Sequence, residues 1–159
     1  MKLVLTIAGS DSSGGAGIQA DLKTFEAFGA FGASAITVLT AQNTMGVSDI
    51  YEVEALFVKE QIESVLQDFD VSAIKIGMLY SKEIIKPLNI PIVLDPVFIS
   101  KANSKLLNQD AIAANLALGK TLEESIEVSK KFIHNAILKA PKIGHSRGPI
   151  NHKTAGEML

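Results

Sequence analysis

Apolar and polar positions follow two alternating periods over the first hundred residues of the chain. Residues 3–8 form an apolar run, which is typical of a strand buried in a parallel sheet. Residues 18–28 then place apolar side chains three and four positions apart, which predicts an amphipathic helix. The same succession returns as a strand over 33–40 and a helix over 55–69. The pattern therefore predicts two consecutive βα units.

The alternation continues and then stops. We predict a strand at 73–77, a short helix at 81–87 and a strand at 92–95, followed by helices at 107–118 and 122–139 with no strand between them. The predicted buried face of the last helix consists of Leu122, Ile126, Phe132, Ile133 and Ile137. The chain then ends in a loop and a short polar tail. Strands alternating with helices predict an α/β domain with a parallel sheet covered on both faces.

Composition narrows the class of protein. The chain has 159 residues, 47% of them apolar, a net charge of −2 and no cysteine. These values predict one soluble domain without disulfides or thiolate metal sites. The charges are mixed along the chain, so we expect no nucleic acid partner. The first apolar run is shorter than a secretory core and nothing indicates a membrane segment, so we expect a cytoplasmic protein.

A glycine-rich loop between the first strand and the first helix is the leading candidate for a ligand site. The loop runs from Gly9 to Gly17, and the free N–H groups of the following helix favour an electronegative ligand group. Residues 15–20 formally match a dinucleotide fingerprint, but no acidic residue occurs between Glu26 and Asp49 to bind a ribose. A Walker A lysine is also absent. A purely structural turn remains the alternative.

Other candidates lie at the carboxyl ends of strands or close to them, where ligands bind in such sheets. Gln42 can offer its amide to a heteroaromatic ring edge, although a solvated turn uses the same residue type. Asp21 can accept from a ligand, or serve only the helix dipole. Met78 can wall a flat ligand, or belong to the core. Asp95 can organise Mg²⁺ or cap a loop, and Lys101 can touch phosphate or be solvated.

Taken together, these segments resemble the hydroxymethylpyrimidine and phosphomethylpyrimidine kinases of thiamine biosynthesis, which are members of the ribokinase-like superfamily. The resemblance lies in residues 8–25, 37–44, 74–79, 93–97 and 148–152, in the same order as in the family. It implies a mostly parallel central sheet flanked by helices. It also implies ATP-dependent transfer of phosphate to 4-amino-5-hydroxymethyl-2-methylpyrimidine and then to its monophosphate.

The resemblance also implies roles for single residues. Asp21 and Gln42 would hold the polar edge of the pyrimidine. Gly9 and Met78 would line its pocket, and Asp95 would lie near the phosphates and Mg²⁺. Catalysis of this kind consists mainly of positioning and charge stabilisation.

The sequence departs from the family between about residue 106 and residue 110. There the family has further strands and helices, including a Gly-Thr-Gly-Cys motif whose backbone N–H groups form an anion hole, and this sequence has none of them. Residues 1–159 are thus expected to form one truncated ribokinase-like domain. An uncovered sheet edge would favour association, for example as a homodimer. The alternative function is a catalytically inert pyrimidine-binding module.

Overall fold

The structure, a computed structural model, describes residues 1–79, 92–94, 109–145 and 148–158. In chain order its elements are β1 (Leu3–Asp11), α1 (Gly17–Ala27), β2 (Phe31–Asn43), β3 (Gly46–Glu52), α2 (Ala55–Asp68), β4 (Val71–Ile76), β5 (Ile92–Leu94), α3 (Gln109–Ala117), α4 (Leu122–Leu138) and α5 (His152–Glu157). The predicted alternation of strands and helices is confirmed. The predicted helix at 81–87 lies outside the described residues, as does the end of the strand predicted at 92–95.

The described strands form one five-stranded sheet in the order β3-β2-β1-β4-β5. The central strand β1 pairs in parallel with β2 on one side and with β4 on the other, and β5 pairs in parallel with β4. Among the described strands, only β3 is antiparallel, and it pairs with β2. The mostly parallel α/β sheet predicted from the sequence is therefore confirmed, and the carboxyl ends of β1, β2 and β4 point to the same edge.

Alternate side chains of β1 serve two different cores. Val4 packs with Phe25 of α1 and with alanines of α3 on one face of the sheet. Leu5 packs with Val58 and Ile62 of α2 on the other face. This alternation follows from the period of two along a strand. It also places Thr6 on the α1 face of the sheet, which matters for the polar cluster described below.

Strand β3 was not predicted from the sequence, which suggested no element over residues 46–52. Its side chains are exposed throughout, including Val47, Ile50 and Tyr51. An edge strand that buries neither face needs no alternation of apolar and polar residues. Its hairpin partner β2 supplies the hydrogen bonds instead.

The buried face predicted for α4 is largely wrong. Its buried residues are Ser125, Ser129, Phe132 and Ala136, whereas Leu122 and Ile137 are more than half exposed, at 54% and 56%. The helix packs on α3 and α5, and its buried cluster is rich in alanine, with Phe132 as the single large side chain. Small residues at three of these four positions allow close approach, so size decided which face is buried.

The end of the chain is also more ordered than the sequence suggested. Residues predicted as a polar tail form α5, whose start is capped by the Asn151 side chain accepting from the Thr154 N–H at 3.1 Å. No helix in the described ranges combines the length and the apolar character needed to cross a bilayer.

Candidate functional site

Gly9 and Met78 meet at the carboxyl edge of the sheet. A Cβ atom added to Gly9 would lie 2.7 Å from Val38 Cγ1 and 2.9 Å from Met78 Cε, so the packing at this point leaves no room for a side chain. The Thr37 hydroxyl donates to the Met78 carbonyl at 2.8 Å and fixes the chain after β4. These contacts bring together two of the residues singled out in the sequence.

The pairing of β2 with its two neighbouring strands is irregular at two points beside this contact. Its parallel register with β1 shifts between Ala8 and Ser10, around Gly9. Its antiparallel register with β3 shifts between Ala41 and Gln42. Bulges re-aim side chains and are frequent beside functional sites. The extra residue at the second shift is Ser48 of β3, opposite Ala41 and Gln42.

The half-buried Gln42 side chain borders a cavity. Its Oε1 lies 3.1 Å from Thr40 Oγ1, which also lies 2.8 Å from the Ser10 carbonyl. The hydroxyl carries one proton and serves one of these acceptors at a time. No described residue accepts a hydrogen bond from Gln42 Nε2. This amino group is thus available as a donor to a ligand.

Asn43, the neighbour of Gln42, has a turn role. Its Oδ1 accepts from the Met45 N–H at 2.8 Å, which closes a local turn between β2 and β3. The sequence left open whether Gln42 is a ligand contact or part of a solvated turn. The hydrogen bond from the Met45 N–H assigns Asn43 to the turn. Gln42 lines the cavity, so its side chain can contact a ligand there.

The glycine-rich loop binds a carboxylate from its own chain. Asp11 accepts from the N–H groups of Ser13 at 2.8 Å, Gly15 at 3.0 Å and Ala16 at 2.8 Å, and from the Ser13 hydroxyl at 2.7 Å. These three N–H groups of the loop are therefore not available to an external anion. The donors are consumed by Asp11, which is buried beneath them.

The same loop closes tightly against β1. Gly17 has a φ of +57°, and a Cβ there would lie 2.3 Å from the Gly9 carbonyl oxygen. Only glycine fits both the positive φ and the close approach. The loop thus packs closely against the end of β1.

A cavity of about 470 Å³ lies between this loop, the β2–β3 turn and the segment that precedes α5. Gln42 borders it from β2, Asp11 from the loop, and His145 and Pro149 from the later segment. The His145 N–H donates to Thr44 Oγ1 at 3.2 Å and joins two of the three walls. The volume is large enough for a single heteroaromatic ring.

Asp21 lies in a buried polar cluster on the α1 face of the sheet and is not part of the cavity wall. Its carboxylate oxygens are both 2.8 Å from Lys75 Nζ, and one of them accepts from the Thr6 hydroxyl. Asp110 of α3 lies 3.0 Å from the same Nζ. Asp21 is only 2% exposed. The cluster thus joins β1, α1, β4 and α3.

Two carboxylates share one lysine in this cluster, and the pKa values follow from that imbalance. Burial, together with the nearby Asp110 charge, raises the pKa of Asp21 from 3.8 to about 7, although Lys75 opposes the shift. Burial alone would lower the pKa of Lys75, but the charges of Asp110 and Asp21 raise it above its ordinary value. The cluster therefore holds an extra proton on Asp21 up to nearly neutral pH.

His152 is a buried residue of the α1–α5 contact. Its Nδ1 lies 2.9 Å from the Thr24 hydroxyl oxygen. The proton of that hydroxyl is donated to the Ala20 carbonyl at 3.0 Å. Burial lowers the pKa of His152. The imidazole is consequently neutral at physiological pH and stabilises the packing of α5.

Asp95 and Lys101 lie outside the described residues. Among the residues that are described, no group of three or more histidine, cysteine, aspartate and glutamate side chains could hold a metal ion. The described carboxylates near the site are engaged by backbone N–H groups or by Lys75. They therefore do not fit a magnesium site.

Sequence reasoning missed Lys75 and Asp110. The available signal was a lysine inside the apolar run 73–77, since a buried lysine requires a carboxylate partner. Asp110 gave no such signal, because a first-turn aspartate suits any helix. Only the packing of α3 on β4 brings it to the lysine.

A family model and individual relatives point to the same protein family. The family model described as phosphomethylpyrimidine kinase matches residues 11–113 and 110–151. Hydroxymethylpyrimidine/phosphomethylpyrimidine kinase from Haemophilus influenzae is 52% identical over 123 residues, which are 72% of this chain and 45% of the relative. The two matched stretches overlap inside α3, next to the departure noted in the sequence.

Solved structures agree in fold. Phosphomethylpyrimidine kinase from Clostridium difficile 630 superposes with a TM-score of 0.70 at 29% identity, covering 86% of this chain and 100% of that one. Pyridoxal kinase from Staphylococcus aureus, solved with ADP, superposes with a TM-score of 0.83 at 24% identity, covering 97% and 94%. The second likeness concerns the fold alone.

The chain spans about half the length of the curated relatives it matches. Since the family model covers most of its residues, the chain belongs to the phosphomethylpyrimidine kinase family.

Proposed function

We propose that this member of the phosphomethylpyrimidine kinase family binds 4-amino-5-hydroxymethyl-2-methylpyrimidine and takes part in its ATP-dependent phosphorylation, and in that of its monophosphate, in thiamine biosynthesis. One observation carries the proposal. The Gln42 side chain borders the cavity, and its Nε2 makes no hydrogen bond to the described residues. Family membership supplies the identity of the ring. The chemistry of Gln42 supplies the contact.

Three residues recognise the ring in this proposal. Gln42 donates from Nε2 to a ring nitrogen, and an amide that satisfies such an acceptor discriminates against rings without one. Met78 provides an apolar, polarisable wall, and Gly9 keeps that wall close to β1 because it has no side chain. Gln42 lies at the cavity wall, whereas Gly9 and Met78 are outside its lining and are assigned to the ring from family membership.

In this proposal Asp21 supports the site without contacting the ring. Its carboxylate is bonded to Lys75 and Thr6 and is shielded from the cavity. We therefore propose that Asp21 fixes α1 against β1 and β4. This contact positions Gly9 near the end of β1. Direct contact between Asp21 and the ring is not required.

ATP and Mg²⁺ are the cofactors proposed from family membership, with Asp95 and Lys101 near the phosphates. When bound, ATP supplies the phosphoryl group and Mg²⁺ neutralises its charge. The described residues contribute ring binding and orientation, and no step of phosphoryl transfer is assigned to them.

We also propose a cytoplasmic location, where ATP is available, and a homodimer. The exposed β3 edge carries Val47, Ile50 and Tyr51, which a second copy could cover. Sedimentation equilibrium distinguishes this dimer from a monomer, and a monomer at micromolar concentration would contradict it.

Calorimetric titration with hydroxymethylpyrimidine tests the ring contact. Gln42→Ala should weaken binding by about tenfold, because one hydrogen bond inside a site contributes on the order of 1 kcal/mol or more. The matched control is Gln67→Ala. Gln67 is an exposed glutamine of α2 that does not line the cavity, so this variant should bind the ring as the wild type does. Unchanged affinity in Gln42→Ala would remove Gln42 from the site.

A coupled assay of ADP release tests the reaction itself. Turnover that requires both ATP and hydroxymethylpyrimidine supports the proposed kinase. Binding without ADP release would instead identify a pyrimidine-binding module, because the anion-hole segment of the family contributes on the order of 3–4 kcal/mol to lowering the barrier.

A further inference from the structure

The Ser12 hydroxyl makes two hydrogen bonds to one residue that lies 30 positions away. Its Oγ donates to the Gln42 carbonyl at 2.8 Å and accepts from the Gln42 N–H at 2.8 Å. Serines in such loops usually bond to nearby backbone or side-chain groups, as Ser13 does with Asp11. Ser12 instead joins the loop after β1 to the end of β2.

Gln42 lies near the end of β2, where β2 pairs with the edge strand β3. Its neighbouring strand β3 is exposed along its whole length, and the β2–β3 register shifts between Ala41 and Gln42. A slip of one residue moves a side chain to the opposite face of a sheet. Both backbone groups of Gln42 are fixed by Ser12, which opposes such a slip.

We infer that Ser12 is a positioning residue that holds Gln42 at the cavity through both of its backbone groups. The inference rests on the proposed function for the identity of the ligand, but the anchor itself is a property of the free protein. Ser12 acts through Gln42 and does not touch the ring.

The anchor also explains how an exposed hairpin can present a specific donor. With the backbone of Gln42 fixed, the Thr40 hydroxyl lies 3.1 Å from the amide oxygen, and Nε2 makes no hydrogen bond to the described residues. A donor held in place before binding loses less entropy when a ring acceptor arrives. The class of ligand favoured is thus a flat heteroaromatic ring with an acceptor nitrogen.

Ser12→Ala tests the anchor with two measurements. Exchange of the Gln42 backbone N–H with solvent, followed by NMR, should become at least about tenfold faster, since the N–H loses its acceptor. The dissociation constant for hydroxymethylpyrimidine, measured by calorimetry, should rise about five- to tenfold. Ser12→Thr keeps the hydroxyl at an exposed position and should restore both values.

Ser48→Ala is the matched control. The Ser48 hydroxyl donates to the Ala41 carbonyl at 2.9 Å, in the same hairpin and one residue before Gln42. If its loss changed Gln42 exchange and ligand affinity as much as Ser12→Ala does, general loosening of the hairpin would account for both and the inference would be overturned. A thermal unfolding curve confirms that each variant is folded.

The two measurements separate this inference from the proposed function. Faster Gln42 exchange in Ser12→Ala supports the anchor even if the wild type binds no pyrimidine, a result that would refute the proposed function alone. Unchanged exchange in a folded Ser12→Ala protein would overturn the anchor even if the wild type binds the ring.

Discussion

Asp11 and Asp21, two carboxylates of the first βα unit, are both buried but are stabilised in different ways. Asp11 is 3% exposed and accepts hydrogen bonds from backbone N–H groups and one hydroxyl within five residues of itself. Asp21 is 2% exposed and depends on Lys75, which is 54 residues away. One is satisfied locally and the other by tertiary packing.

The difference decides what each carboxylate can do. Asp11 completes a short loop and occupies the N–H groups that could have bound an external anion. Asp21 belongs to a cluster whose charge is unbalanced, because Asp110 competes for the same lysine. Local donors thus stabilise a loop, whereas a shared lysine couples α1, β4 and α3 into one unit sensitive to pH.

Lys75→Met should have the largest effect on stability. The substitution leaves Asp21 and Asp110 buried without a cation, and breaking a buried ion pair in this way costs about 3–5 kcal/mol. Urea denaturation at pH 8 measures the change in the free energy of unfolding.

The control for this variant is Lys59→Met. Lys59 forms an exposed pair with Glu63 on α2, 3.6 Å apart, and such pairs contribute about 0–1 kcal/mol. Equal losses in the two lysine variants would show that the buried cluster does not join the three elements.

Asp11→Ala should destabilise the protein by about 2 kcal/mol, less than Lys75→Met does. Three backbone N–H groups of the loop before α1 lose their acceptor, but the loop is partly exposed and water can replace some of the bonds. Asp49→Ala removes one exposed bond to the Ile50 N–H and should cost less than about 0.5 kcal/mol. Comparable unfolding midpoints for the two variants would contradict the local role of Asp11.

A pH dependence of stability should also arise from Asp21. Its pKa in the native state, about 7, lies above the ordinary value of 3.8, so the native state binds an extra proton between these values. The stability this provides is complete below pH 3.8 and is lost as the pH rises towards 7. The slope is at most about 1.4 kcal/mol per pH unit.

The lowered pKa of His152 acts in the opposite direction in this window, but it acts in the wild type and in Asp21→Asn alike. Lys75 does not titrate in this window. Its raised pKa contributes stability that is present below 10.5 and is lost only above that value. Unfolding free energies measured from pH 4.5 to 6.5 should therefore fall less steeply with pH in Asp21→Asn than in the wild type. Parallel curves would show that Asp21 carries no extra proton.

Much of the fold was predictable, but the polar contacts of the site were only partly so. The strands through Leu5 and Ile74 follow from apolar runs, and α1 follows from the spacing of Ile18, Leu22 and Phe25. Gln42 was identified as a candidate from its place after a strand, and the structure places it at a cavity. The anchor from Ser12 had no signal, because a serine in a glycine-rich loop is ordinary.

The errors have a common physical cause. The α4 prediction assumed that the largest apolar side chains are buried, but packing against alanine-rich helices favoured Ser125 and Ser129. Strand β3 was missed because an exposed edge strand depends on hydrogen bonds to β2 and not on its own apolar pattern. In both cases the neighbour determined the outcome.

The sequence by itself determined the order of the apolar strands and amphipathic helices, the parallel part of the sheet and the family, because periodic burial and short motifs are local properties of the chain. Only the tertiary structure decided which acidic side chain is bound by its own loop, which one shares Lys75 with Asp110, and how Ser12 reaches Gln42. These contacts join residues 30 or more positions apart or depend on the shape of a loop. Their energies arise from desolvation and hydrogen-bond geometry, which exist only once the chain has folded.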